Sequence, residues 1–182
     1  RKRESEKAIA DSTLERRVCL RPRAVYGPGD QTLWPRFLER IRFGHLGLPG
    51  PLSPRVSMTH VDNLVDSVLL SLERAKAGYA VYNVADAHEY ALKDVFQNIL
   101  RIVYQGKGNH NIFTIPEKGL RRFVRFADRL RIPISLSEQA IDYVTQPALL
   151  DTSSIQEELG YSDRVKNENR PDVGDFMGDL PT

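Results

Sequence analysis

Hydrophobic and polar positions follow two spacings along this chain, one typical of helices and the other of short buried strands. In two segments, apolar residues recur every three or four positions. They are Val61, Leu64, Val65, Val68, Leu69 and Leu72 in the first segment, and Leu92, Val95, Phe96, Ile99, Leu100 and Val103 in the second. Because this spacing places apolar side chains on one face, it predicts two amphipathic helices.

Shorter apolar runs, capping residues and turn residues predict the other elements. Strands are predicted at 18–20, 56–59, 81–84 and 112–115. Further helices are predicted at 4–16, 32–43, 116–130, 137–145 and 153–159. The glycines and prolines of 45–54 predict a flexible loop. Together these elements predict an α/β fold in which helix predominates and the strands are short.

Composition limits the class of protein. The chain has 182 residues, with 26 Lys and Arg against 24 Asp and Glu, and its net charge of +2 disfavours a nucleic-acid partner. No apolar run approaches the ~18 residues of a membrane span. Cys19 is the only cysteine, so no intrachain disulfide forms, and we expect a cytoplasmic protein. The sequence turns polar after Tyr161, which predicts a poorly ordered tail over 162–182.

The sequence lacks several motifs that would indicate a particular binding site or reaction. The four histidines lie far apart and have no cysteine partners, so we expect no metal site. The glycines of 44–50 have the G-x-x-G-x-x-G spacing of a dinucleotide-binding turn. That turn needs a strand before it and a helix after it, whereas here a predicted helix precedes and prolines follow. No G-x-S-x-G turn is present, so a hydrolase is not supported.

The predicted helix after Pro116 is basic and amphipathic. Its cations line one face and its apolar residues another. The cations are Lys118, Arg121, Arg122, Arg125 and Arg129, and the apolar residues are Leu120, Phe123, Val124, Ala127 and Leu130. Such a helix contacts an anionic membrane surface, a phosphorylated ligand or another chain, or it is a solvated face over a packed stripe.

Four segments in order along the chain carry a family resemblance. The first is Leu20-Arg21-Pro22-Arg23-Ala24-Val25-Tyr26-Gly27-Pro28-Gly29-Asp30, and the second is Thr59-His60-Val61-Asp62-Asn63-Leu64-Val65-Asp66. The third is Val81-Tyr82-Asn83-Val84-Ala85, and the fourth joins Asp151-Thr152-Ser153 to Glu158-Leu159-Gly160-Tyr161. Together they resemble the extended short-chain dehydrogenase/reductase family, also called the NAD-dependent epimerase/dehydratase family.

The resemblance implies a Rossmann-type enzyme that uses NAD or NADP, of which residues 1–161 would be the C-terminal, substrate-side half. Family members are about twice as long and begin with a glycine-rich cofactor-binding half, which would be the missing partner of this chain. They carry a Tyr-x-x-x-Lys motif with an acidic residue four positions after the lysine. Lys2 and Glu6 fit that pattern, and the tyrosine would lie just ahead of Arg1. Lys2 is thus the expected catalytic and ribose-binding residue, and we expect the isolated chain to be inactive.

The same resemblance implies roles for other residues. Pro22 and Arg23 correspond to positions whose backbone approaches the nicotinamide. Substrate contacts are expected from Ala24, Tyr26, Trp34, Phe37 and Arg55. Enzymes acting on nucleotide sugars usually have asparagine at the position of Ala24 and an arginine one residue after Arg55. Both departures favour the branch that resembles 3-beta-hydroxysteroid dehydrogenases. The alternative is that the chain resembles the sugar-modifying enzymes and that these two positions have drifted in sequence.

The expected function is therefore part of an oxidoreductase or an isomerase that acts on a secondary alcohol or ketone, either steroid-like or a sugar nucleotide. The partners would be this small-molecule substrate and the cofactor-binding half, and a homodimer is left open. The alternative is a non-catalytic binding module that uses the basic helix at 118–129 to engage anionic lipid or a partner protein. The sequence does not choose between NAD and NADP.

Overall fold

The computed structural model describes residues 2–30, 41, 45–104, 111–130, 132 and 138–163. The chain forms two compact units. The first contains Arg1–Asp30, Ser57–His88 and Leu150–Thr182, and the second contains Gln31–Val56 and Glu89–Leu149. The predicted helix at 32–43 and most of the predicted tail at 162–182 lie outside the described residues.

The described elements alternate between helices and short strands, as the sequence predicts. The strands are β1 (Arg16–Pro22), β2 (Val25–Tyr26), β3 (His45–Pro49), β4 (Arg55–Ser57), β5 (Thr59–His60), β6 (Gly78–Val84), β7 (Glu89–Ala91) and β8 (Asn111–Ile115). The helices are α1 (Lys2–Ala10), α2 (Val61–Arg74), α3 (Leu92–Val103), α4 (Glu117–Arg129), α5 (Glu138–Thr145) and α6 (Ser153–Leu159). The α/β prediction is thereby confirmed.

Strands β1 and β6 are the centre of the first unit. They pair in parallel from Arg16 opposite Gly78 to Pro22 opposite Val84, and β2 pairs in parallel with β5. Helix α6 packs against β6, and together they form a core of buried residues. This core consists of Tyr82, Val84, Ile155, Leu159 and Tyr161. Parallel strands are normally covered on both faces, and here the described helices α1, α2 and α6 contact the β1–β6 pair.

Helix α2 forms where the periodicity predicts it, but the side that it buries is different. The buried positions of the helix are Asn63, Ser67 and Ser71, whereas the apolar residues Leu69 and Leu72 are exposed. The hydroxyl of Ser67 donates to the carbonyl of Leu64, and that of Ser71 donates to the carbonyl of Ser67. Because their hydroxyls are satisfied within the helix, these small side chains can be buried at little cost.

The second unit contains two further strand pairs. Strand β3 pairs in parallel with β8, and β4 pairs with β7. The loop prediction for 45–54 is wrong over β3, where Leu46 and Leu48 alternate into the core. Gly47 suggested a loop, yet it lies opposite Phe113 in the register, and a Cβ there would come within 2.7 Å of the phenyl ring. The glycine is therefore compatible with a strand because it makes room for an aromatic neighbour.

Helix α1 is shorter than predicted. It ends at Ala10 and not at residue 16, because the guanidinium of Arg17 reaches back to the end of the helix. Arg17 Nη1 donates to the carbonyls of Ala10, at 2.6 Å, and Ser12, at 3.0 Å. These bonds satisfy carbonyl groups that a helix leaves without partners at its C-terminus. Within the described residues, no helix is both long enough and apolar enough to cross a membrane.

Candidate active site

The turn after β1 brings the predicted cofactor and substrate residues to the carboxyl end of a parallel strand. Pro22 is the last residue of β1, and Arg23 and Ala24 follow it directly. Ala24 has a φ of 45°, in the left-handed region, which redirects the chain into β2. In parallel α/β sheets, ligands bind outside the carboxyl ends of the strands. Pro22, Arg23 and Ala24 thus occupy the end of the sheet where a ligand is expected.

The side chain of Thr59 fixes this turn. Its hydroxyl accepts a hydrogen bond from the backbone N–H of Arg23 at 3.2 Å. The same oxygen lies 2.8 Å from the carbonyl of Val84 and 3.0 Å from the carbonyl of Arg23, so its proton is donated between these two acceptors. Thr59 therefore ties the end of β1 to the end of β6.

Tyr26 is part of a buried polar network. Its side chain is 1% exposed, and its hydroxyl donates to Asp86 Oδ2 at 2.8 Å. The other oxygen of Asp86 accepts from the backbone N–H of His60 at 2.9 Å and from Asn63 Nδ2 at 2.7 Å. The rings of Tyr26 and His60 meet edge to face with centroids 5.2 Å apart. These contacts give Tyr26 a structural role here, and the contact with substrate that the resemblance implies stays a prediction.

His60 also begins helix α2. Its Nδ1 accepts a hydrogen bond from the backbone N–H of Asp62 at 3.2 Å, so His60 is the N-cap. His60 therefore has a structural role at the start of α2. Asp62 lies within the first turn of the helix, where the positive end of the helix dipole stabilises its negative charge.

Helix α1 runs antiparallel to β1, and side-chain contacts fix this direction. In the middle of the helix, Glu6 accepts two hydrogen bonds from the guanidinium of Arg21, at 2.5 Å and 2.9 Å. At the end of the helix, Arg17 binds the carbonyl of Ala10. The helix thus advances from the carboxyl end of β1 toward its amino end. Lys2 begins the helix one turn before Glu6, which places its backbone toward the end of β1 where Pro22 and Arg23 lie.

The charges between α1 and β1 affect each other. The hydrogen bond from Arg21 is the main cause that lowers the pKa of the Glu6 carboxyl, and it raises the pKa of the Arg21 guanidinium. Burial is the main cause that raises the pKa of the Cys19 thiol, and the neighbouring Glu6 carboxylate adds to it. Glu6 and Arg21 are therefore both ionised across the neutral range, and Cys19 carries a neutral thiol.

The other predicted site residues are Arg55, Trp34 and Phe37. Arg55 lies in β4 of the second unit, where Nη1 contacts Glu89 Oε2 at 3.1 Å on an exposed surface. Trp34 and Phe37 lie outside the described residues, as does the side chain of Lys2. The described residues contain no group of three or more His, Cys, Asp or Glu that could hold a metal ion.

Sequence reasoning missed Asp86 and the buried role of Asn63. Asp86 follows the buried run Val84-Ala85 at the end of β6, and Asn63 lies inside the second family motif. The carboxylate of Asp86 directly follows a buried strand, which indicates a polar group at that end of the sheet. The residues that donate hydrogen bonds to it lie at positions 26, 60 and 63, and only the fold brings them together.

Comparison with known proteins supports the family. The model of the NAD dependent epimerase/dehydratase family matches residues 2–85. The chain is similar to 2-alkyl-3-oxoalkanoate reductase of Stenotrophomonas maltophilia, with 36% identity over 90 residues, which are 47% of this chain and 27% of that protein. It is 40% identical to zebrafish (Danio rerio) short-chain dehydrogenase/reductase family 42E member 1 over 68 residues, 36% of this chain and 18% of the relative.

A solved structure shares the fold. The UDP-glucuronic acid 4-epimerase of Bacillus cereus, solved with NAD, superimposes with a TM-score of 0.53 at 17% identity, over 88% of this chain and 42% of the epimerase. The chain thus spans less than a third of these curated relatives and less than half of the epimerase. Through the motifs of residues 2–85 and the parallel strands that carry them, this part of the chain resembles the NAD-dependent epimerase/dehydratase family.

Proposed function

We propose that this chain supplies the substrate-side part of an NAD(P)-dependent oxidoreductase or epimerase, and that Lys2, Pro22 and Arg23 belong to its nicotinamide site. The observation that carries this proposal is the antiparallel packing of α1 on β1. The Glu6–Arg21 and Ala10–Arg17 contacts orient the helix so that Lys2 begins at the carboxyl end of β1. This packing supports a site in which the two cofactor-binding segments that the resemblance implies lie at the same end of the sheet.

The proposed chemistry is hydride transfer between a nicotinamide and a secondary alcohol or ketone. When bound, the nicotinamide accepts or supplies the hydride. A tyrosine four residues before Lys2 would move the hydroxyl proton of the substrate, and it has an ordinary pKa of about 10. The ammonium of Lys2 would lower that pKa toward neutrality because it stabilises the phenolate. The same ammonium is suited to donate a hydrogen bond to the ribose hydroxyls of the cofactor.

We further propose that the substrate is apolar and steroid-like. Ala24 offers no hydrogen-bonding side chain at the position where the sugar-nucleotide enzymes of the family usually have asparagine. The relative from Stenotrophomonas maltophilia is a 2-alkyl-3-oxoalkanoate reductase, so a keto acid with alkyl chains, which is not a nucleotide sugar, is the substrate named for one similar protein. A secondary alcohol on an apolar skeleton would be turned over faster than a UDP-sugar. Residues 1–161 would form this functional half, and residues 162–182 would form a tail. The protein would be located in the cytoplasm.

The role of Lys2 can be tested in the longer protein that contains this chain. The variant Lys2→Met should lower kcat by about 100-fold or more, as expected for loss of general acid–base chemistry. In the direction of ketone reduction, where the tyrosine donates the proton, it should also shift the basic limb of the pH–rate profile to higher pH, because the tyrosine loses its cationic neighbour. Lys7→Met is the matched control, since Lys7 is exposed on the same helix. An unchanged pH–rate profile in Lys2→Met, with the fold intact, would show that Lys2 is not the catalytic lysine.

A further inference from the structure

Helix α4 carries three separate stripes of side chains. Leu120, Val124 and Ala127 face the protein, and Val124 and Ala127 are buried. A second stripe, formed by Phe123, Phe126 and Leu130, is 56%, 60% and 54% exposed. A third stripe is cationic and exposed, and consists of Lys118, Arg122, Arg125 and Arg129. Each stripe recurs every three or four residues, so each follows one face of the helix.

The orientation of α4 is fixed by its remaining cation. Arg121 Nη2 contacts Glu117 Oε1 and Asp142 Oδ1, at 2.8 Å and 2.7 Å, which joins α4 to α5. These two carboxylates hold the pKa of Arg121 above its usual value, so the link stays charged. By contrast, Lys118, Arg122 and Arg129 form no ion pair with any residue that the structure describes. These three cations are thus available to a partner outside the chain.

The exposed aromatic stripe distinguishes α4 from a solvated helix. A merely solvated helix would bury its phenylalanines and leave the cations alone in water, whereas here two phenylalanines and a leucine lie in water beside four cations. Ile132, two residues after Leu130, is also exposed. A patch of contiguous exposed apolar side chains marks an interaction site.

We propose that this face of α4 docks on the surface of an anionic lipid bilayer. Helices that lie in a membrane interface combine phenylalanine and leucine on one side with lysine and arginine on the other. The apolar stripe would enter the boundary between headgroups and acyl chains, and the cationic stripe would contact lipid phosphates. A second copy of the chain fits less well, because a two-fold contact through the apolar stripe would bring two cationic stripes together. The proposal does not depend on the proposed enzymatic function.

Vesicle sedimentation of the purified chain tests the proposal. The chain should sediment with vesicles of phosphatidylcholine containing about one third phosphatidylserine, and not with phosphatidylcholine alone. The variant Arg122→Glu/Arg129→Glu should weaken binding at least about 25-fold, since each cation near the surface contributes about fivefold. Phe123→Ser/Phe126→Ser should abolish detectable sedimentation, and both pairs are exposed, so the fold should be unaffected.

Two matched control variants distinguish binding by this face from nonspecific binding to vesicles. Leu69→Ser/Leu72→Ser removes exposed apolar residues from α2, and Lys93→Glu/Arg101→Glu reverses exposed cations on α3. Neither control should change sedimentation. The proposal is overturned if the chain binds neither kind of vesicle, or if a control pair weakens binding as much as the α4 pair. It is also overturned if sedimentation velocity shows that Phe123→Ser/Phe126→Ser only converts a dimer into a monomer.

Discussion

Ala24 differs from the asparagine usual at its position in the sugar-modifying enzymes of the family, and it adopts a backbone conformation that alanine tolerates poorly. Its φ of 45° lies in the left-handed region, which costs a residue with a Cβ roughly 1–2 kcal/mol, and which glycine and asparagine tolerate better. The asparagine usual in the sugar-modifying enzymes of the family therefore suits the backbone as well as a ligand. The sequence revealed the departure, but only the structure shows the strain.

Replacement of Ala24 by glycine should stabilise the chain. We expect Ala24→Gly to raise the free energy of unfolding by about 0.5–1 kcal/mol, because the relief of strain exceeds the entropy that glycine adds to the unfolded state. The same substitution at Ala80, inside strand β6, should instead lower it by about 0.5–1 kcal/mol. Urea denaturation measures both. Destabilisation by Ala24→Gly equal to that by Ala80→Gly would mean that the turn is not strained.

Asp86 is the residue on which the buried network depends. Its carboxylate accepts from the hydroxyl of Tyr26, the backbone of His60 and the amide of Asn63. Asp86→Ala should lower the free energy of unfolding by about 2–4 kcal/mol, since it removes the carboxylate to which three buried groups donate hydrogen bonds. Asp11→Ala, at an exposed aspartate, should change it by less than about 0.5 kcal/mol. A similar effect of both substitutions would contradict the network.

At the scale of elements, the sequence predicted most helices and strands, but for α2 it did not predict which face is buried. The spacing of Val65, Leu69 and Leu72 predicts an amphipathic α2, and the helix does form. Asn63, Ser67 and Ser71 also lie four residues apart, so the helix has a second stripe, of small polar side chains. Periodicity cannot choose between two stripes, because the choice depends on what packs opposite. The loop predicted at β3 failed for a related reason, since its partner β8 is distant in sequence.

Because of the contact between β6 and α6, the stability of the chain should fall at alkaline pH. Burial and the hydrogen bond of its hydroxyl to Glu158 at 2.8 Å raise the pKa of Tyr82 to about 12. In the unfolded chain the phenol ionises near pH 10. The stabilisation from protonated Tyr82 is therefore complete below about pH 10 and is lost as pH rises toward 12.

Tyr82→Phe isolates this contribution. Burial also raises the pKa of Tyr161, so the wild-type chain alone does not separate the two tyrosines. In urea denaturation between about pH 9 and 12, Tyr82→Phe should lose stability less steeply than the wild-type chain. Tyr79→Phe, at an exposed position on the same strand, should follow the wild-type curve. Equal slopes for Tyr82→Phe and the wild type would contradict a protonated, buried Tyr82.

At the scale of the whole molecule, the fold class followed from the apolar spacing and the family resemblance from four short motifs, whereas the position of the proposed site did not follow from either. The motifs name Lys2, Pro22 and Arg23, but only the packing of α1 on β1 indicates that they lie at one end of the sheet. Among the described strands, β1 pairs with β6 alone. A parallel sheet of two strands is small for a Rossmann-type fold, and the outer edge of β1 would accept a further parallel strand from the proposed cofactor-binding half.

Hydrogen exchange in the longer protein, with and without saturating NAD or NADP, tests the central claim most directly. If residues 2–6 and 22–26 form the nicotinamide site, the bound cofactor should slow amide exchange in both segments together. Strands β3 and β8 of the second unit should exchange at the same rate with and without cofactor and serve as the internal reference. Unchanged exchange in both segments of a protein saturated with cofactor would contradict the account.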